Sequence, residues 1–237
     1  VEEWNAQLSL MTGMAAASLM IGAGIGILRT MPQPDEKSFE AFRHQTEALG
    51  RPWTTGTYGD YLRELDREDP MTLPILEAAA SLFRGAGYVA FDGSVPPDVE
   101  QAAIAAPYAH ATAPLRRLID RWSLAICLAV SEGREVPGWV RESLADLPAL
   151  MQESGQRASR LDSATINCVE AALMTPLVGS TIEATVIELR GERATVQIAE
   201  PAVTASAPVP SDTVPGAVVR LTVVRADIAR GETEFAA

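Results

Sequence analysis

Three side chains capable of chemistry alternate within one short stretch of the chain. Tyr108, His110 and Thr112 are separated by single alanines in the sequence Tyr-Ala-His-Ala-Thr. In an extended segment, alternate residues point to the same side. The phenol, the imidazole and the hydroxyl would therefore share one surface.

Two arginines follow this stretch and indicate an anion site. Pro114 predicts the start of a helix over residues 115–131, which places Arg116 and Arg117 in its first turn. Exposed backbone N–H groups, the positive end of the helix dipole and two guanidinium groups together favour a bound anion. The alternative is structural, because paired surface arginines commonly form salt bridges with acidic neighbours.

The distribution of charge favours the anion site. The 237 residues carry 31 acidic and 19 basic side chains, a formal net charge of −12. This excludes a protein that coats nucleic acid non-specifically, because that function needs a broadly positive surface. Residues 107–176 hold 7 basic and 8 acidic side chains, whereas residues 1–106 hold 7 and 15. Positive charge is thus concentrated around the two arginines.

The cysteine and histidine content excludes several kinds of site. Cys127 and Cys168 lack the spacing of a zinc knuckle or a disulfide scaffold, and His44 and His110 are too few for a histidine-rich metal site. With 47% hydrophobic residues the chain can bury a core, which excludes global disorder. We expect a protein of a reducing compartment, with a cytoplasmic location.

The N-terminal region contains a long uncharged run, from Trp4 to Leu28. Its length would suit a membrane span, but polar side chains interrupt it and the glycines of residues 22–26 form helices poorly. We therefore expect no membrane segment, and a buried helix followed by a glycine-rich extended segment. The glycines do not follow a strand, which excludes a dinucleotide-binding loop. Because the chain opens directly at Val1 without a basic leader, we expect no secretory signal and an upstream part of the protein.

Hydrophobic periodicity predicts a mainly helical region up to residue 176. The predicted helices cover residues 38–49, 58–66, 74–85, 115–131, 136–147 and 151–174. Residues 85–97 are predicted to form a loop.

The pattern changes near residue 176. Hydrophobic alternation predicts strands at residues 181–189, 194–198 and 218–224, separated by turn sequences. Several short strands in so few residues suggest a small barrel of the five-stranded OB type. The predicted fold class is α+β, with a mainly helical part over residues 1–176 and a small β-barrel over residues 177–237.

The stretch from Tyr108 to Asp120 resembles a known signature. Its pattern, Tyr-x-His-x-Thr-x-Pro-Leu-Arg-Arg-x-x-Asp, is similar to Tyr-x-His-x-Thr-Ser-Pro-Ile-Arg-Arg-Tyr-x-Asp in the RNB catalytic domain of the ribonuclease II and ribonuclease R exoribonucleases. The opening Val-Glu-Glu-Trp and the segment from Leu28 to Pro32 resemble two other segments of that family. The barrel resembles its C-terminal OB-fold RNA-binding module. The chain is therefore identified as the C-terminal part of an RNB domain followed by that module.

The resemblance implies an activity. Members of the family cleave single-stranded RNA from the 3′ end and release 5′-nucleoside monophosphates by magnesium-assisted attack of water. Their Mg²⁺ ligands are aspartates that precede the Glu-Glu helix, so the resemblance implies that these ligands lie in a missing N-terminal part of the same enzyme. We expect the isolated chain to be inactive as a nuclease. A catalytically inactive RNB-like protein that binds RNA or another protein is the alternative.

The resemblance also assigns roles to individual residues. Arg116 would be catalytic, because a guanidinium group can stabilise negative charge on the scissile phosphate. Glu2 or Glu3 would hold the ribose hydroxyls of the 3′-terminal nucleotides. Arg117 would contact a backbone phosphate or brace the loop. The residues that would line the RNA channel are Tyr108, His110 and Thr112.

The sequence departs from the family pattern in several places. Ala113 replaces the usual Ser, Leu118 replaces the usual Tyr, and Leu124 stands where His is common. Where the family tends to have Ala-Glu-Arg, near the end of the helical part, Asp162 is the one acidic residue that could take the place of the Glu. The barrel contains a single aromatic residue, Phe235, with 5 basic and 8 acidic side chains. We expect it to contact RNA weakly or to act as a structural cap, since stacking platforms need exposed aromatic rings.

Overall fold

The computed structural model describes residues 2–83 and 85–237, and the backbone but not the side chain of Glu3. The chain divides into two compact units that do not follow chain order. The first unit comprises residues 1–33 and 83–158, and the second comprises residues 34–82 and 159–237. The domain boundary expected near residue 176 stays a prediction.

The helices occur in the predicted order, and the three predicted strands of the C-terminal part follow them, together with strands that were not predicted. The helices are α1 (Glu2–Ala23), α2 (Glu36–Ala48), α3 (Tyr58–Glu64), α4 (Thr72–Leu82), α5 (Leu118–Ser131), α6 (Gly138–Leu144) and α7 (Leu147–Met174). The strands are β1 (Ile25–Thr30), β2 (Gly87–Asp92), β3 (Glu100–Gln101), β4 (Ala106–Pro107), β5 (Thr181–Arg190), β6 (Arg193–Ile198), β7 (Val203–Pro208), β8 (Val218–Asp227) and β9 (Glu232–Ala236).

The prediction of a loop over residues 85–97 is wrong, because these residues contain β2. This strand pairs antiparallel with β1, in a register that sets Arg29 opposite Tyr88. The sequence Gly-Tyr-Val-Ala-Phe-Asp is rich in residues that favour strands. Its partner lies about 60 residues earlier in the chain, so the pairing is invisible to a local pattern.

The predicted start of the helix at residue 115 is also wrong. Pro114, Leu115 and Arg116 form a turn, in which the N–H groups of Arg116 and Arg117 both donate to the carbonyl of Ala113, at 3.2 and 3.0 Å. Arg117 is the N-cap of α5 and has extended backbone angles. The two arginines therefore precede the helix instead of occupying its first turn.

The core of the first unit forms where α1 and β1 pack against α5. Its fully buried side chains include Met20, Ile27, Leu28, Ile119 and Ile126. In the described part of the chain, α1 is the one helix that is long and apolar enough to cross a membrane. The expectation of a buried helix is wrong for most of α1, because only one face of its C-terminal half, with Ala17 and Met20, lies in the core. Its other face and the residues near its start, Trp4, Leu8 and Met11, are exposed.

A glycine in α1 allows another segment to approach closely. The N–H of Ala109 donates to the carbonyl of Gly13 at 3.1 Å. A Cβ atom at position 13 would lie 2.1 Å from Cε2 of Tyr108 and 2.7 Å from the carbonyl oxygen of Ala109. Gly13 is thus required for the contact that positions Tyr108.

The second unit combines a helical part with the β-barrel. An aromatic cluster packs between α2, α3 and the connection that joins them; its rings are Phe39, Phe42, Trp53, Tyr58 and Tyr61. The barrel is a five-stranded antiparallel sheet of order β7-β6-β5-β8-β9 that is nearly closed. This confirms the predicted α+β fold with an OB-type barrel, although β7 and β9 were absent from the predicted strands. β7 lies between Pro201 and Pro210 and ends at Pro208, and prolines are unfavourable in strands, so its sequence does not read as a strand.

We expect Gly13→Ala to destabilise the protein, because the new methyl group would overlap both Tyr108 and a backbone oxygen. The free energy of unfolding should fall by about 1–3 kcal/mol, as measured by urea denaturation. Gly155→Ala is the matched control, since a Cβ atom there meets nothing within 4 Å. It should stabilise α7 by up to about 1 kcal/mol through helix propensity alone. Equal effects of the two substitutions would contradict the proposed close approach.

Candidate nucleic-acid interface

The segment from Tyr108 to His110 is held by backbone hydrogen bonds on both sides. The N–H of Arg29 in β1 donates to the carbonyl of Tyr108 at 2.8 Å, and the N–H of Ala109 donates to Gly13 in α1. Tyr108 and Ala109 are buried, whereas His110 is half-buried. The segment therefore presents His110 from a rigid support.

His110 lies between two tyrosine rings. Its Nδ1 atom is 2.8 Å from the phenolic oxygen of Tyr88, and its ring makes edge contacts with Tyr88 and Tyr108 at centroid distances of 5.7 and 5.6 Å. Burial lowers the pKa of His110 to about 4, and the positive charge of Arg117 adds to this effect. His110 is therefore neutral at physiological pH.

Arg29 completes this aromatic group. Its guanidinium carbon lies 4.8 Å from the centre of the Tyr88 ring, in a cation–π contact. The same side chain donates to the carbonyl of Gly87 at 3.4 Å. Arg29 thus supports Tyr88 from the face of its ring, while Tyr88 supports His110.

Arg117 is bound within the fold. Its Nε and Nη2 atoms donate to the two carboxylate oxygens of Asp120 at 2.8 and 2.9 Å. Asp120 is fully buried and also accepts a hydrogen bond from the N–H of Ala113 at 2.7 Å. Burial raises the pKa of Asp120, but the hydrogen bonds from Arg117 and Ala113 outweigh it and hold the pKa below its ordinary value. In this structure Arg117 braces the loop, one of the two roles expected for it.

Arg116 has the opposite environment. Its side chain is exposed, and within the described residues its guanidinium group forms no hydrogen bond or ion pair. Its charge is near enough to His110 to lower the pKa of the imidazole. The arginine pair is therefore divided: Arg117 satisfies a buried carboxylate, and Arg116 is available to an external anion.

The structure brings some of the predicted site residues together and leaves others apart. Tyr108, His110, Arg116 and Arg117 form one neighbourhood around the turn before α5. Thr112 is exposed beside them. Glu2 is exposed at the start of α1, and the side chain of Glu3 lies outside the described residues. The assigned roles of these residues stay predictions.

Sequence reasoning missed two members of this neighbourhood. Tyr88 was placed in a predicted loop, where an aromatic residue has no defined neighbours. Arg29 belongs to the segment that resembles the family, but nothing local indicated that it would lie opposite Tyr88. A strand prediction for residues 87–92 would have been the one signal able to suggest this pairing.

The described residues offer no site suited to a magnesium ion. Among residues 2–83 and 85–237, no group of three or more His, Cys, Asp or Glu side chains is arranged to hold a metal. Asp120, the buried carboxylate nearest to the candidate interface, already accepts three hydrogen bonds. A magnesium requirement therefore stays an expectation based on resemblance.

The barrel shows little surface suited to nucleic acid. Phe235, its single aromatic residue, is buried in the barrel core. All five of its arginines contact neighbouring side chains within the barrel: the pairs are Arg190–Glu188, Arg193–Ser206, Arg220–Glu183, Arg225–Glu234 and Arg230–Asp227. Four of these contacts are surface ion pairs, which are weak but offset the positive charge that would attract phosphate, whereas Arg193 donates to an uncharged serine.

Comparison with known proteins agrees with this architecture. Residues 180–237 match the family model of the RNase II-type exonuclease C-terminal S1 domain. A search of curated proteins found no match.

Solved structures extend the likeness to nearly the whole chain. RNase R of Mycoplasma genitalium, in complex with ribose-methylated single-stranded RNA, is similar over 99% of this chain and 41% of its own, with 13% sequence identity and a TM-score of 0.72. Yeast Ssd1, a pseudonuclease, is similar over 86% of this chain and 26% of its own, with 18% identity and a TM-score of 0.65. The Dss1 exoribonuclease of Candida glabrata, as an active-site mutant, is similar over 97% and 28%, with 11% identity and a TM-score of 0.61.

The chain thus spans about two-fifths of the length of the RNase R to which it is similar. Its barrel matches the family model of the RNase II-type S1 domain, and its fold is similar to that of the C-terminal portion of RNB-family exoribonucleases. The resemblance inferred from the sequence is confirmed.

Arg117 binds the buried Asp120 and Arg116 does not, so substitutions of the two arginines should differ in their effect on stability. Arg117→Ala should lower the free energy of unfolding by about 3–5 kcal/mol, because it leaves the Asp120 carboxylate buried without its counter-ion. Arg116→Ala removes an exposed side chain without a partner and should change that free energy by less than about 0.5 kcal/mol. Urea denaturation of both variants checks this. Similar losses in the two would show that Arg116 also has a structural role.

The environment of His110 predicts a loss of stability in acid. The pKa of His110 is about 4 in the folded chain and about 6.5 in the unfolded chain, so the unfolded state binds more protons between these values. The free energy of unfolding should therefore fall as the pH decreases from about 6.5 to 4. Thermal melts of His110→Gln should show a shallower fall than the wild type. His44→Gln, at an exposed position, should retain the wild-type profile.

Proposed function

We propose that this chain, with the fold of the C-terminal portion of an RNB-family exoribonuclease, belongs to an enzyme that hydrolyses single-stranded RNA in the 3′-to-5′ direction to 5′-nucleoside monophosphates. The chain would provide part of the RNA channel and the arginine that faces the scissile phosphate. The observation that carries the proposal is the exposed, unpaired Arg116 beside the supported His110, within the specific sequence motif.

Arg116 is suited to phosphate by its position in the turn before α5. Its neighbour Arg117 occupies the buried carboxylate, so no acidic group competes for the Arg116 guanidinium in the described structure. A guanidinium group can form two parallel hydrogen bonds to phosphate oxygens. These bonds strengthen as negative charge accumulates on the oxygens, so they favour the transition state over the bound substrate.

The residues described here do not fit a magnesium site. If the longer enzyme uses Mg²⁺, its ligands would lie outside the described residues. The isolated chain should then bind RNA without hydrolysing it. A cytoplasmic role in RNA degradation is part of the same proposal.

A second candidate is a catalytically inactive RNB-like protein that binds RNA or another protein. The likeness to the pseudonuclease Ssd1 favours it, since that protein shares the fold over 86% of this chain. The departures at Leu118, Leu124 and Asp162 point in the same direction. Intact Arg116 and Asp120 favour the enzyme, because they preserve the turn that presents the guanidinium group.

Arg116→Ala in the longer enzyme is the test of the proposed role. Loss of a contact made mainly in the transition state should lower kcat by at least about 100-fold, or about 3 kcal/mol. The Kd for a single-stranded RNA oligomer should rise only a few-fold, because many phosphates share the binding energy. Single-turnover hydrolysis and fluorescence anisotropy measure the two quantities. Arg116→Lys should restore little activity, since an ammonium group cannot reproduce the planar fork.

Arg134→Ala is the matched control, because Arg134 is exposed in the same unit but paired with Glu132. It should leave both kcat and Kd near their wild-type values. If Arg116→Ala keeps wild-type kcat in a fully folded enzyme, the proposed catalytic role is wrong. If the wild-type enzyme binds RNA but hydrolyses none, the inactive alternative is correct.

A further inference from the structure

We propose that Tyr88 is a positioning residue that fixes His110 in a single neutral tautomer, with Nδ1 accepting from the phenol and Nε2–H donating to an acceptor oxygen of bound RNA. The identity of the ligand rests on the proposed function. The tautomer does not, because it is a property of the free chain.

The strand β1 brings the two side chains together. Its pairing with β2 sets Tyr88 directly opposite Arg29, and residues opposite one another in a sheet share a face. The N–H of Arg29 donates on the other edge of β1 to the carbonyl of Tyr108, two residues before His110. Tyr88 and His110 therefore approach each other from the two sides of the same strand, at 2.8 Å.

The ring of Tyr88 has little freedom to move. The guanidinium group of Arg29 covers one of its faces at 4.8 Å, and the edge contact with the imidazole restricts its orientation. Burial raises the pKa of Tyr88, so the phenol keeps its proton throughout the physiological range. The phenolic oxygen is thus a fixed donor.

The donor of Tyr88 determines which imidazole nitrogen carries the proton. The phenolic O–H of the half-buried Tyr88 needs an acceptor, and the described residues provide one in Nδ1 of His110. If Nδ1 carried the proton, the phenolic oxygen would accept from it, and the phenolic hydrogen would have no acceptor among the described residues. The arrangement that satisfies both groups places the imidazole proton on Nε2.

Burial lowers the pKa of His110 and keeps the imidazole neutral, and the surrounding charges add to this effect. Arg29 from β1, and Arg116 and Arg117 from the turn before α5, disfavour the imidazolium, whereas Asp120 alone favours it. Nε2–H forms no hydrogen bond within the described part of the chain. His110 therefore offers a free, uncharged donor beside the cationic Arg116, and would recognise an oxygen by hydrogen bonding instead of by charge.

Tyr88→Phe tests the inference in the free chain, because it removes only the phenolic oxygen. The chain has two histidines, so comparison with His44→Gln assigns the imidazole ¹⁵N resonances of His110. In the wild type we expect a neutral ring with its proton on Nε2 from pH 5.5 to 7.5. In Tyr88→Phe the pKa of His110 should rise by about one unit, since a hydrogen bond to the neutral form is lost. A wild-type proton on Nδ1, or spectra unchanged by Tyr88→Phe, would overturn the inference.

Titration with single-stranded oligouridylate tests the RNA contact. Addition of RNA should shift the Nε2 resonance, and Tyr88→Phe and His110→Gln should each raise the Kd by about 3- to 10-fold. The double variant should bind no more weakly than His110→Gln, because Tyr88 acts through His110. His44→Gln should bind as the wild type does.

The outcomes separate the inference from the proposed function. If the wild type and Arg116→Ala differ in RNA affinity but Tyr88→Phe and His110→Gln match the wild type, the RNA contact of Nε2 is overturned and the proposed function stands. If the wild-type chain binds no RNA, the proposed function and this contact both fail, while the ¹⁵N spectra still decide whether Tyr88 fixes the tautomer.

Discussion

The buried carboxylate of Asp120 is the constraint on which the candidate interface depends. A charged group with no exposure to water must find its hydrogen bonds within the protein, and Asp120 takes them from Ala113 and Arg117. These bonds close the turn over residues 113–117 before α5 begins. This turn leaves the side chain of Arg116 exposed to solvent. Arg116 is therefore exposed because Arg117, and not Arg116, binds the buried carboxylate.

Arg116 and His110 would bind a ligand in different ways, the first by charge and the second by hydrogen bonding. Arg116 supplies a permanent positive charge, which attracts any anion. His110, half-buried between Tyr88 and Tyr108, is kept neutral and offers a directed hydrogen-bond donor. Neither property belongs to the side chain alone. Each is set by groups from β1, β2 and the turn before α5.

The sequence predicted the interface well where its signals were local. The motif from Tyr108 to Asp120 identified the arginines, and hydrophobic periodicity located the helices and the OB-type barrel. The start of α5 was misplaced because the side chain of Asp120, inside the helix, binds the N–H of Ala113 and the side chain of Arg117 and so closes a turn before the helix begins. β2 was missed for a different reason. Its pairing with β1 is a long-range interaction, and Tyr88 gains its role only from that pairing.

The pairing of Thr30 with Gly87 also constrains how the chain can vary. The polypeptide leaves β1, forms α2, α3 and α4, and must return to within one strand spacing of its departure point, about 5 Å. The segment between is therefore an insertion whose ends are fixed by the hairpin that it interrupts. The entropy of closing such a loop grows only slowly with its length, by about 0.6 kcal/mol per doubling. The entropy of closure would therefore oppose a longer or shorter insertion only weakly, provided that its two ends remain adjacent.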